Sequence, residues 1–200
     1  MKNFVLIIIF AGLSFINSLA QKNLNDSTAL IIIDIQEFYF PGGKAELVNP
    51  EKASQKASQI LSYFRDNKML VVHVRHNFAP GGDIHKDVQP IKDEKVISKD
   101  DVNAFKGTDL KSFLTIRISL TLFYAECKPI CVWKELLGLH DLGYDCTVIS
   151  DACATRNLTF GDRVIQSQDV HLSTLSTLKG TYAEVMDATT YLNRVGVEWP

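Results

Sequence analysis

Ala29-Leu30-Ile31-Ile32-Ile33-Asp34 is the stretch whose reading decides the fold. Its apolar residues run without the polar alternation of a half-exposed strand, so both faces of this strand must be covered. Strands of that kind belong to parallel sheets packed between helices. The run ends on a carboxylate. In open parallel sheets the ligand crevice lies beyond the carboxyl ends of the strands. Asp34 is therefore a candidate general base, with a cap or turn role as the plainer alternative.

The pattern outward from this strand is regular. Pro50 opens a helix whose Ala53, Ala57, Ile60, Leu61 and Phe64 recur at helical spacing. Met69 to Val74 is a second buried strand. A polar loop with Gly and Pro follows, from Arg75 to about Lys95. Thr108 can cap a short helix through Leu114. Ile118 to Tyr124 reads as a strand, and Val132 to Leu142 as a helix closed by Gly143. Cys146 to Ser150 is a strand, Asp169 to Leu178 a helix, and Ala183 to Met186 a last strand. Alternating strands and helices predict an α/β chain with a mostly parallel sheet, helices on both sides.

Composition sets bounds. At 200 residues, 46% hydrophobic and 22% charged, the chain has material for one domain with a real core. A formal net charge of -2 leaves no basic surplus for phosphates, which argues against nucleic-acid or anionic-membrane partners. The first twenty residues stand apart. Lys2, the apolar run from Phe4 to Ile16 and then Ser18-Leu19-Ala20 have the layout of a secretory signal. The run is shorter than the ~20 residues of a membrane span. The expected division is a signal peptide over 1–20 and one domain over 21–200, giving a secreted or periplasmic protein with no stable membrane span after cleavage.

Two more residues could carry chemistry. Lys99 lies in VISKDDVNAF with apolar Val96 and Ile97 before it and Phe105 after it; taken alone, such a lysine is usually a solvated surface residue. Cys131 precedes the helix read at Val132, where the helix dipole and a nearby lysine would favour a thiolate; an inert buried cysteine is the commoner case. The cysteines are Cys127, Cys131, Cys146 and Cys153. In an exported chain their even number leaves a disulfide such as Cys127 to Cys131 open. The C-x-x-x-C spacing is one residue longer than a redox motif, so a thiol redox protein ranks last.

Together the motifs resemble a known family. IIIDIQEFYFPGGKAELVNPEKA, VISKDDVNAFKGTDLKSFL and, after Cys131-Val132, HDLGYDCTVISDACAT are similar to successive motifs of the isochorismatase-like cysteine hydrolases, in the same order. The resemblance implies a three-layer α/β/α Rossmann-like fold and an Asp-Lys-Cys triad. Asp34 would be the base, Lys99 would assist the thiolate, and Cys131 would attack a carbonyl or imine carbon to form a covalent intermediate. Backbone N–H groups at Cys127 and Cys131 would form the oxyanion hole, aided by a cis peptide just upstream. Phe38, His76 and Phe105 would line the substrate pocket. The reaction expected is hydrolysis of a C–N bond in a small amide, with ether cleavage less favoured because an exported enzyme would not meet a cytoplasmic metabolite. A homo-oligomer and no cofactor are also implied. Metal-dependent nicotinamidases of the superfamily carry an Asp-x-His element. None occurs here, and His73 falls in a buried strand, so His73, His76 and His85 are not read as a metal site.

Between Tyr124 and Leu139 the chain departs from the family. YAECKPICVWKELLGL stands where a sequence close to LCGMQTHMCVEGTTRAA would be expected. The genetic code links the two. Reading the last base of each codon with the first two of the next, Trp133 into Lys134 must give Glu, Cys127 into Lys128 can give only Gln or a stop, and Cys131 into Val132 can give Cys. The stretch from near Thr115 to Leu139 therefore reads as translated in a shifted frame, restored at His140. On this reading Ala125 and Glu126 replace the Gly-Met of the oxyanion loop, and Lys128 and Pro129 replace Thr and His. Misplaced oxyanion donors cost on the order of 10²–10³ in rate. The alternative function is thus a catalytically impaired homologue that binds a small molecule or a partner.

Overall fold

In the computed structural model the described residues are 28–114, 119–124 (backbone only) and 136–196. The strands are β1 (Thr28–Ile33), β2 (Leu70–His76), β3 (Lys95–Lys99), β4 (Ser119–Tyr124), β5 (Asp145–Ile149), β6 (Leu158–Phe160), β7 (Arg163–Ile165) and β8 (Glu184–Met186). The helices are α1 (Pro50–Asp66), α2 (Leu110–Leu114), α3 (136–141), α4 (Ser167–Leu178) and α5 (Ala188–Arg194). Six strands form one sheet in the order β3-β2-β1-β4-β5-β8, and every neighbouring pair is parallel. The remaining two make an antiparallel hairpin.

β1 is buried along its whole length, as its uninterrupted apolar run predicts. Its side chains alternate between two cores. Leu30 and Ile32 join Ala57, Ile60, Leu61 and Phe64 of α1 and Leu192 of α5. Ala29, Ile31 and Ile33 join Leu110 and Leu114 of α2, Leu136 and Leu139 of α3, and Leu178 of α4. A central sheet with helices on both faces is the expected three-layer α/β/α arrangement. Each fully buried Ile, Leu or Phe contributes about 1.5–3 kcal/mol, so these two clusters dominate the stability.

Helix starts follow the local chemistry. Asn49 takes a left-handed conformation (φ 53) and Pro50 fills the first helical position, where no N–H is needed. The Thr108 hydroxyl accepts the Leu110 N–H at 3.2 Å, as a cap should. α4 begins at Ser167, two residues before the predicted start. Three elements escape the periodicity reading. β3 is an edge strand of alternating burial, and its five residues are too few to stand out. The β6–β7 hairpin turns on Gly161-Asp162 and is almost wholly exposed, so it carries no core signature. α5 is announced only by its cap, Asp187 accepting the Thr190 N–H at 2.8 Å.

Strand order reverses direction of growth at β1: β2 and β3 extend to one side, β4 and β5 to the other. The carboxyl ends of β1 and β4 therefore flank the switch point where open α/β sheets bind ligands.

Candidate active site

Asp34 follows the last residue of β1 at this switch point and is fully buried. Its N–H still bonds the Val74 carbonyl at 2.9 Å, but its φ of 55 turns the chain away from the sheet. Lys99 ends β3, two strands away. Its side chain is also fully buried and spans the end of β2, bringing Nζ to 2.9 Å from Asp34 Oδ2. The two groups form a buried ion pair. Nζ also donates to the Val102 carbonyl at 3.0 Å. The solvated-surface reading of Lys99 fails because this strand ends beneath the 100–106 loop.

Electrostatics in the pair compete. Burial pushes the Asp34 carboxyl above its usual range, and the charges of Lys99 and His76 draw it only partly back. A carboxyl whose proton affinity is raised by burial beside a lysine is suited to take a proton as a general base. Asp34 Oδ1 has no hydrogen-bond partner among the described residues.

The loops around the pair are zipped together. Glu37 N–H bonds Asp83 O at 3.0 Å, Phe38 N–H bonds Gly81 O at 2.9 Å, and His85 N–H bonds Ile35 O at 2.9 Å. Gln36 is fully buried. Its Nε2 donates to His76 O and Gly82 O, both at 2.8 Å, and its Oε1 accepts His76 N–H at 2.9 Å. Gly82 has no substitute here, because a Cβ would lie 2.3 Å from the Phe78 carbonyl oxygen.

Above these loops Phe78 is sandwiched between rings. It stacks on Phe38 at 4.3 Å and 21°, and on His76 at 4.3 Å and 4°. Two of the three expected pocket residues, Phe38 and His76, thus share one aromatic stack. Phe105 is placed elsewhere: it packs with the α2–α4 core, against Gly138. Sequence reasoning missed Phe78 and Gln36. The only signals were a third aromatic residue close to the loop's glycines and a polar residue two positions past Asp34.

The histidines considered for a metal go separate ways. His73 is buried, with Nε2 2.8 Å from Glu94 Oε2, and Glu94 also receives two bonds from Arg65 at 2.7 and 2.8 Å. His85 stacks flat on Phe40 at 3.6 Å. Among the described residues no three His, Cys, Asp or Glu side chains gather as a metal site. Burial alone would raise Glu94, but the Arg65, Ile91 and His73 hydrogen bonds hold it down to about 2.

Cys127, Cys131, the oxyanion stretch with its expected cis peptide, and most of the segment read in a shifted frame lie outside the described residues. Of the other cysteines, Cys146 is buried and its thiol is pushed up to about 12 by burial and by Asp145. Cys153 donates its thiol to the Ile149 carbonyl at 3.2 Å.

A doubly wound sheet with a buried carboxylate–lysine pair at its switch point defines an α/β enzyme frame. Known proteins narrow the class. The pattern described as "Isochorismatase domain" matches residues 28–189. The uncharacterized isochorismatase family protein YddQ of Bacillus subtilis (strain 168) is 36% identical over 178 residues, 83% of this chain and 99% of its own. An isochorismatase-family structure from Oleispira antarctica superposes with a TM-score of 0.80 at 34% identity, over 84% of this chain and 97% of its own. An isochorismatase from Pseudomonas putida KT2440 gives 0.76 at 28% identity, over 84% and 90%. A cysteine hydrolase from Pseudomonas syringae pv. phaseolicola 1448A shares the fold, at 0.78 and 18% identity over 84% and 92%. The chain belongs to the isochorismatase family. It is a hydrolase by that membership.

Proposed function

We propose that the protein is an exported cysteine hydrolase that cleaves a C–N bond in a small amide through Asp34, Lys99 and Cys131. The observation that carries the reading is the solvent-excluded Asp34–Lys99 pair, with a 2.9 Å separation, at the β1 switch point. A buried lysine and carboxylate that served stability alone would be outdone by apolar residues of similar volume. A nucleophile arriving from the β4 side gives the pair a use. Asp34 takes the Cys131 thiol proton, and Lys99 steadies the negative charge. The thiolate attacks the carbonyl carbon, the C–N bond breaks, and the proton leaves with the nitrogen. A water then gives a proton to Asp34 and attacks the thioester, releasing the acid and restoring the thiol. The stacked Phe38, Phe78 and His76 suit a flat, unsaturated acyl group.

Iodoacetamide at neutral pH, with the label located by mass spectrometry, tests this. Cys131 is expected to react first and to slow about 100-fold in Asp34→Asn, while Cys146 stays unlabelled because its thiol ionises only at about 12. Equal slow labelling of Cys131 and Cys153 would favour the impaired homologue. Turnover of nicotinamide, pyrazinamide and N-carbamoyl compounds then sorts substrates.

A further inference from the structure

We infer that Gln36 is a positioning residue for the Asp34–Lys99 pair, its side-chain amide replacing the backbone ladder that Asp34 interrupts. The catalytic consequence rests on the function proposed above; the geometry does not. The regular β1–β2 ladder ends at Ile33 opposite Val74. Asp34 makes the last backbone bond, to Val74 O, and then turns at φ 55. That conformation is one L-residues rarely adopt, and it removes β1 from the next pair of β2 backbone groups, the N–H and C=O of His76. The Gln36 backbone cannot supply them, because its own N–H folds back onto Asp34 O at 3.0 Å.

The Gln36 side chain supplies them instead. A primary amide presents one acceptor and two donors in a plane, the same pattern as a peptide group with one donor to spare. Oε1 takes the His76 N–H, one Nε2 hydrogen goes to His76 O, and the other ties down Gly82 O of the loop. On its other side the end of β2 is held by β3: His76 is in register with Lys99, and Asn77 N–H bonds Lys99 O at 2.9 Å. The end of β2 is the ground that the Lys99 side chain crosses to reach Asp34. Gln36 fixes that ground relative to β1, and so fixes the distance between two charges that come from strands which do not touch.

No other side chain fills this role. Glu has the same length but no donor, and would set a carboxylate against two carbonyl oxygens. Asn is one methylene short. Met matches the length but leaves the His76 N–H and C=O without their partners, and leaves Gly82 O with only a 3.3 Å bond from Arg75.

The test uses the full chain with Gln36→Met, Gln36→Glu and Gln36→Asn. Two quantities are read on folded protein: the Asp34 carboxyl titration by ¹³C NMR, and the Cys131 alkylation rate with iodoacetamide. A purely structural role would lower melting temperature and leave both unchanged. Positioning is expected to displace the titration by about half a pH unit or more and to slow alkylation about tenfold. A folded Gln36→Met or Gln36→Glu protein with wild-type titration and alkylation overturns the inference. If wild-type Cys131 reacts no faster than Cys153, the triad reading has failed, and the titration alone then decides on Gln36. If no variant folds, the wild type decides: Gln36 side-chain amide protons are expected to exchange as slowly as core amides, and exchange at the rate of an exposed glutamine overturns the inference.

Discussion

Replacing Lys99 with Met isolates the charge at the centre of the site. Methionine keeps most of the buried stem and removes the ammonium. Both partners are solvent-excluded and 2.9 Å apart; at an effective dielectric of about 20 their gross attraction is about 6 kcal/mol. Its loss strands a buried carboxylate, for which about 3–5 kcal/mol of stability is the usual cost. The fold can escape part of this by protonating Asp34. From an ordinary carboxyl pKa that protonation costs about 6 kcal/mol at pH 8 but under about 2 at pH 5. The sign follows from linkage. Burial already holds the folded Asp34 above its unfolded value, and losing Lys99 raises it further. A carboxyl raised on folding binds more protons in the native state, so stability falls as pH rises from the unfolded value through the folded one. Urea unfolding of Lys99→Met should thus show a loss of about 3–5 kcal/mol at pH 8 that shrinks to about 1–2 at pH 5. Adding Asp34→Asn removes the stranded charge and should return stability to within about 1 kcal/mol of wild type, with activity still absent. A Lys99→Met protein within about 1 kcal/mol of wild type at pH 8, and with no pH slope, would refute the claim that a buried ion pair lies at the centre of this site.

Two further outcomes are expected. Glu94→Gln should cost about 2–3 kcal/mol at pH 7, since it weakens charged hydrogen bonds to Arg65 and His73. Glu94 is held at about 2, below its unfolded value, so its contribution is present above pH 4.5 and disappears as the pH falls towards 2; chemical denaturation across that range should show the two proteins converging. Gly82→Ala should disturb the site more than the core: its Cβ would meet the Phe78 carbonyl oxygen at 2.3 Å, displacing Phe78 and the loop bonded to Gln36. Steady-state kinetics should show a raised KM with a melting temperature lowered by no more than about 8 °C, whereas an unchanged KM would mean that the aromatic stack does not touch substrate.

The sequence alone carried the architecture a long way. An unbroken apolar run at Ala29–Ile33 has to be covered on both faces, and the helical spacing in Pro50–Asp66 supplies one of the covers. Periodicity is a local property, so local sequence reveals it. The elements it missed, β3, the exposed hairpin and α5, are short or lack a buried face, and so leave little periodic trace. Asp34 was legible as the carboxylate closing a buried strand, and Lys99 only through its motif's resemblance to a family. What tertiary structure decided is the meeting of the two. Strand order places β2 between β1 and β3, and the register of His76 with Lys99 sets where the ammonium lands. Burial then raises the proton affinity of an ordinary aspartate, against the opposing pull of Lys99. Neither effect belongs to a residue type; both come from the neighbours that the fold supplies, among them a glutamine whose amide stands in for a strand.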